Sequence, residues 1–281
     1  STPPTRRDRR EAARRDRRLA EARTATAKPA WQSPMALITV AAVAVGLVVI
    51  LLASGVLGAR GNGPTGELLI PIRPTPPELV DPANPRAVGP ADAPVTVEVW
   101  SDFQCPACGF WAIQVEPDLV DEYVTAGTVR LVYRDLAFLD GGDPNGESQQ
   151  SAAAARCAGE QDKFWPYHDY LYENQDGENE GAFRRERLDE IAQAVGLDMP
   201  AYEACMSSDP PFEATKAETD AGRVAGVGST PTLAVNGVLQ AAGALPLEDL
   251  RTIIEAELAK VSPAPGSSAS PAPPASASPA P

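Results

Sequence analysis

Histidine occurs once in this 281-residue chain, at position 168, and cysteine four times, at 105, 108, 157 and 205. A structural zinc site normally needs two close pairs of Cys or His ligands. Cys105 and Cys108 make one such pair, but Cys157, Cys205 and His168 are too dispersed to make the second. No metal site is therefore expected. Basic residues are scarce where a nucleic acid would need them. The first 34 residues hold ten Lys or Arg and four Asp or Glu, a net of +6; the whole chain carries −14, so residues 35–281 sum to −20. That acidic portion has no basic stripe and repels phosphate, which excludes nucleic acid as a partner. The contrast between the two portions points to different compartments.

Charge is absent altogether from Met35 to Leu57, a run of 23 residues, MALITVAAVAVGLVVILLASGVL. At ~1.5 Å per residue a helix of that length exceeds about 30 Å, enough to cross a bilayer's hydrocarbon core. A buried helix of a soluble protein and a cleaved signal peptide are the alternatives. Signal-peptide apolar regions run only about 7–15 residues, so an uncleaved anchor over 35–57 fits better. The ten basic residues precede the run, and only Arg60 and Arg73 follow soon after it. The basic side stays in the cytoplasm, which sends the C-terminal bulk outside, where disulfides persist.

Large apolar side chains are missing from residue 262 onward, where only Ser, Pro, Ala and one Gly occur. Such a tail cannot offset its ordering entropy and is expected to be disordered over 262–281. Residues 58–86 are rich in Gly and Pro and predict a semi-rigid spacer. No internal repeat is visible. What remains, 87–261, suits one domain.

Within it, VTVEVW (95–100) and TVRLVY (128–133) predict strands. A helix is expected from Pro106, kinked or divided at Pro117. Residues 147–223 predict helices, broken at Gly177, Gly196 and Asp209–Pro211. TLAVNG (232–237) predicts a strand ending in an Asn-Gly turn, followed by VLQ. Pro246 opens a last helix whose Leu247, Leu250, Ile253, Ile254, Leu258 and Val261 share one face. The order is that of an α/β fold with a helical insertion.

The chemistry centres on Cys105-Pro106-Ala107-Cys108, just after a strand and at a helix start. Thiols at i and i+3 on a first helical turn can close a disulfide without large backbone movement. The first faces unpaired backbone N–H groups and the positive end of the helix dipole, which favour its thiolate, the attacking species. Pro106 suits a first turn, where its missing N–H costs nothing. Downstream, Gly228-Ser229-Thr230-Pro231-Thr232 precedes a strand, a place where a cis-proline is a kept feature.

SDFQCPAC (101–108), TVRLVYRD (128–135), FWPYHDYLYEN (164–174) and GVGSTPTLAVNG (226–237) together resemble the DsbA-like branch of the thioredoxin superfamily, over essentially 88–260. The resemblance implies a thioredoxin-like fold with a helical insertion, here preceded by a single transmembrane helix in a bacterial cell membrane. It implies that Cys105 is the nucleophile, Cys108 the resolving cysteine, and Pro231 a cis-proline against the CPAC motif. Thr230 would lend backbone hydrogen bonds to a bound peptide. It implies no cofactor and no metal, exported proteins with cysteine thiols as substrates, and a quinone-linked membrane partner for reoxidation.

Two departures from the family pattern stand out. Ala107 replaces the His often found in strongly oxidising relatives, leaving the thiolate to the helix dipole and backbone N–H groups. A less depressed Cys105 pKa and a less oxidising couple are therefore expected. The buried acid that many relatives carry six residues before the first Cys is here Val99. Glu98 lies one step away, on the other face of the strand, and a solvated residue is the simpler account of it. If Cys105 and Cys108 pair, Cys157 and Cys205 can only bridge each other or stay reduced. The family implies a structural disulfide between them. His168 shares a face with Phe164, Trp165, Leu171 and Tyr172 and is expected in the core. The leading function is dithiol–disulfide oxidation of exported proteins. A reductase or isomerase fed with electrons across the membrane, or a non-catalytic binding module, are the alternatives.

Overall fold

The computed structural model describes residues 11, 13–18 and 66–261. Residues 13–18 are helical and exposed. No helix among the described residues is long and apolar enough to cross a membrane. The 35–57 run, most of the basic leader, the start of the spacer and the 262–281 tail lie outside the described residues.

The larger unit is built on a six-stranded sheet. Its strands are β1 (Val80–Asp81), β2 (Asn84–Val88), β3 (Val95–Ser101), β4 (Val129–Asp135), β5 (Thr232–Val235) and β6 (Val238–Leu239). They lie in the order β1-β2-β4-β3-β5-β6. Only β3 and β4 are parallel, with Val95 opposite Val129 and Ser101 opposite Asp135. A parallel pair needs a crossover. Here α1 (Pro106–Gln114), α2 (Glu116–Leu119) and a π-helical turn (Val120–Val124) provide it. The helix divides before Pro117, as its missing N–H requires. Between β4 and β5 the chain forms α3 (Glu147–Gly159), α4 (Phe164–Glu173), α5 (Arg185–Val195), α6 (Met199–Met206) and α7 (Pro210–Val224); α8 (Leu247–Val261) closes it.

The breaks have identifiable causes. Gly196 ends α5 in the left-handed region at φ 77°, and Pro210 opens α7. Asn236 at φ 49° and Gly237 at φ 78° are both left-handed, as a two-residue hairpin turn demands. A further break falls at 160–163, where Asp162 sits at φ 59°, between Gly159 at the end of α3 and Pro166 in the first turn of α4.

Two expectations change. Residues 69–86 do not stand off as a spacer. Asn174 pairs with both backbone groups of Leu69 (2.8 and 2.9 Å), Arg73 meets Asp118 and Asp121 (2.7 Å each), and β2 joins β4 at Ala87 and Val88. Pro76 and Pro77 open a short 3-10 helix, and Pro85 lies in β2, where β2 faces the two-residue β1 near the sheet edge. In α8, Leu250 and Ile254 are buried, but Val261 is 61% exposed at the last turn and does not share the packed face.

β3 is the scaffold of the centre. Val95, Val97, Val99 and Ser101 alternate into one buried face, with Thr96, Glu98 and Trp100 on the other. Helix α7 lies on that second face so closely that a Cβ on Gly222 would fall 2.7 Å from the Trp100 ring.

Candidate active site

The turn from β3 into α1 is tied down by Asp102, which is buried. Its carboxylate accepts the backbone N–H groups of Gln104 (3.0 Å), Phe138 (2.9 Å) and Leu139 (3.2 Å), locking the turn to the loop after β4. Burial holds this carboxyl above its ordinary pKa. Cys105 is the N-cap of α1, and its carbonyl accepts from Gly109 N and from Gln175 Nε2, each at 3.0 Å. Gln175 also donates to the Phe103 carbonyl. Glycine at 109 makes room for it, since a Cβ there would lie 2.8 Å from Gln175 Oε1.

Both active-site candidates carry free thiols, Cys105 at 6% exposure and Cys108 at 1%. The Thr230–Pro231 peptide is cis, and Cys105 Sγ lies 3.4 Å from the Thr230 carbonyl oxygen. The chain thus brings together Cys105, Cys108, Thr230 and Pro231 from segments more than 120 residues apart. The two thiols differ sharply. The Cys108 thiol donates to Cys105 and, with the Thr230 side chain and the backbone N–H groups of Cys108 and Ala107, outweighs burial to bring the Cys105 pKa down to about 6. The expectation that dipole and backbone N–H groups act alone is therefore corrected, because the neighbouring thiol is the largest cause. Burial pushes the Cys108 thiol well up, as does its bond to Cys105, against a partial offset from the Ser101 hydroxyl.

Ser101 and Tyr172 extend this pocket inward. Ser101 Oγ and Tyr172 Oη are 2.6 Å apart, and Tyr172 Oη is 3.5 Å from Tyr133 Oη. Phe103 stacks on Tyr133 at 5.1 Å and tilts against Tyr172 at 5.0 Å. Sequence reasoning missed Ser101, Asp102, Tyr172 and Gln175 as parts of the site. Ser101 and Asp102 had a signal in their place between a strand and the cysteines. Tyr172 and Gln175 had none, since their approach depends on how α4 docks.

Glu98 points away from the thiols. It accepts from Arg134 Nε (2.8 Å) and Nη2 (2.6 Å), and Arg134 also meets Glu218 at 3.2 Å. Glu218 in turn pairs with Arg86 (2.5 Å) and Arg156 (2.7 Å). Against burial, those arginines hold the Glu218 carboxyl down at about 2. Glu98 is thus an ion-paired member of a network on the opposite face, neither simply solvated nor beside the cysteines. Val99, on the thiol face, is buried.

Cys157 in α3 and Cys205 in α6 are joined by a disulfide with Cα atoms 5.8 Å apart, within the helical insertion. His168 is 1% exposed and lies edge-on to Tyr133 (5.3 Å) and Tyr172 (4.8 Å), a core position.

With this geometry in view, the thioredoxin family model matches residues 82–256, and the chain belongs to that family. It is 29% identical over 179 residues to a protein of Bacillus cereus named for disulfide bond formation, protein D, covering 62% of this chain and 79% of that one. It is also 34% identical over 158 residues to the Na(+)/H(+) antiporter NhaA 3 of Salinispora tropica. That match covers 56% of this chain but only 22% of the antiporter, so this chain spans about a fifth of that relative's length. Among solved structures, oxidised BdbD from Bacillus subtilis superposes with a TM-score of 0.56 at 20% identity, covering 69% of this chain and all of that one. The last likeness concerns the fold, a mixed α/β thioredoxin-like domain with a helical insertion.

Proposed function

We propose that this chain is an extracytoplasmic thiol–disulfide oxidoreductase that forms disulfides in exported proteins. The observation that carries the reading is the asymmetry at CPAC. One thiol, at a helix N-terminus and against a cis-proline loop, has its pKa brought down to about 6. The other is buried and pushed up. In the oxidising direction a substrate thiolate attacks Cys105 Sγ of the Cys105–Cys108 disulfide. The bond between the two cysteines breaks, and Cys108 leaves as a thiolate that takes up a proton. A second substrate thiolate then attacks the substrate sulfur of the mixed disulfide and releases Cys105 as a thiolate. Two substrate thiols have become one disulfide, and the enzyme holds the electron pair.

Thr230, beside the cis-proline, offers backbone groups to an extended substrate segment, and Pro231 shapes the wall against which it lies. Residues 35–57 anchor the domain as a single span with the N-terminus in the cytoplasm. They keep it near a quinone-linked membrane protein that withdraws the electrons. The Cys157–Cys205 bridge is structural.

The test is the potential of the Cys105/Cys108 couple against glutathione, alongside oxidation of a reduced, unfolded substrate. A potential well above about −270 mV with substrate oxidation supports the reading. A potential near that of thioredoxin with no oxidation overturns it in favour of a reductase. Cys105→Ala abolishes the cellular phenotype of an oxidoreductase, whereas a binding module would keep it.

A further inference from the structure

Behind the CPAC helix, Glu116 at the start of α2 meets His168 and Asp169 in the middle of α4. Glu116 is 3% exposed and His168 1%, and the donor atoms of all three residues lie within 4.8 Å of one another. Asp169 Oδ1 is 2.9 Å from His168 Nδ1, and the same carboxylate accepts Thr75 N at 2.7 Å and Thr75 Oγ1 at 3.2 Å. Bonded to a carboxylate in this way, Nδ1 carries a proton, and the neutral imidazole presents Nε2 as a lone pair. That lone pair faces Glu116 Oε2 across 4.0 Å, and neither atom has a hydrogen-bond partner. Two electron-rich buried atoms facing each other need a positive species between them. A shared proton is a poor one, because a hydrogen bond closes at about 2.7–3.2 Å.

We propose that Glu116, His168 and Asp169 form a binding site for one zinc-like transition-metal dication, with His168 Nε2 and Glu116 as ligands and Asp169 orienting the imidazole. An ion midway across the gap is about 2.0 Å from each donor, which is the Zn–N and Zn–O bond length. A tetrahedral angle asks the donors for about 3.4 Å, so binding closes the 4.0 Å gap by about 0.6 Å. Charge balance agrees. Among the described residues neither carboxylate has a Lys or Arg partner, and Arg73, the nearby guanidinium, is taken by Asp118 and Asp121. A cavity of about 280 Å³, lined in part by Arg73, Pro117, His168 and Asp169, lies beside the cluster. An imidazole held by a carboxylate on its far nitrogen is the arrangement metal-binding histidines use. The site stands apart from the thiols and does not depend on their reading.

The test uses the untagged full chain in detergent, with CPAC oxidised so that its thiols cannot ligate, stripped by chelator and titrated with Zn2+ or Co2+. Calorimetry is expected to show one equivalent bound. Co2+ is expected to give visible bands without the near-ultraviolet absorption of a thiolate ligand. Glu116→Gln or His168→Gln should weaken binding at least 100-fold, and Asp169→Asn about 10–100-fold. A Cys105→Ser, Cys108→Ser double variant should bind as the parent does. No saturable binding by the parent, or undiminished binding by Glu116→Gln, overturns the site. Should the ligand variants fail to fold, the parent's Co2+ spectrum decides: a one-equivalent endpoint without thiolate absorption supports the site, and any other result overturns it.

Discussion

A Cys105 pKa of about 6 has a consequence for the potential of the couple that can be read directly from its pH dependence. Closing or opening the disulfide moves two electrons, and the number of protons that travel with them depends on the reduced state. Below pH 6 both thiols are protonated and the potential should fall by about 59 mV per pH unit, twice the 29.6 mV of a two-electron decade. Above pH 6 Cys105 is already a thiolate while Cys108, pushed up by burial, keeps its proton. The slope should then halve to about 30 mV. An ordinary cysteine, with a pKa of about 8.5, would delay that break by more than two pH units. The depressed pKa stabilises the reduced form alone. The effect is complete only above the ordinary thiol range and fades as pH falls through about 6. At pH 7 it amounts to about 1.4 kcal/mol, or about 30 mV toward a stronger oxidant. That figure is an upper one, because solvent screens the partly accessible thiol. Equilibration with a thiol buffer from pH 5 to 8.5, quenched by alkylation and read by mass spectrometry, measures the slope. A line at about 59 mV per unit through pH 8 would refute the reasoning.

Three other outcomes follow from the geometry. Cys108→Ala removes the largest cause of the Cys105 shift and should move the thiolate's ultraviolet absorbance transition to higher pH; an unmoved transition would assign the shift to the Thr230 side chain and the backbone N–H groups instead. Replacing Cys157 and Cys205 by Ala opens a loop with a sequence separation of 48 and should cost about 4 kcal/mol in denaturant unfolding. A loss under about 1 kcal/mol would mean that the reduced chain is already constrained there. Gly222→Ala drives a methyl into the Trp100 ring and should cost about 1–3 kcal/mol, whereas a neutral result would show that α7 is free to lift from β3.

How much of this was legible in the sequence depended on distance along the chain. The alternation in β3, the Asn236-Gly237 turn, the stop at Gly196 and the division before Pro117 are each set by a few adjacent residues. Position 162 shows the limit, since Asp162 takes a left-handed conformation that its neighbours alone do not demand. Strand β2 was hidden because Asn84 and Pro85 look like linker, and its strand character comes from pairing Ala87 with Val132. Glu116 and His168, 52 positions apart, become a pair only when α2 and α4 are seen to meet.

The two cysteines show why a local motif still needed the fold to acquire its chemistry. CPAC by itself places both sulfurs on one helical turn with the first at the helix start, but nothing in four residues buries the second. Position in the fold does. As N-cap, Cys105 receives the N–H groups at the helix start and faces the Thr230 carbonyl. Three residues on, Cys108 has turned toward β3, where Ser101 and Tyr172 are the polar atoms below it and burial keeps it protonated. The asymmetry is therefore maintained by two contacts of opposite origin: the helix start is written in the motif, and the buried floor is supplied by β3 and α4. A change to that floor should act on Cys108 first and reach Cys105 through the thiol that Cys108 donates.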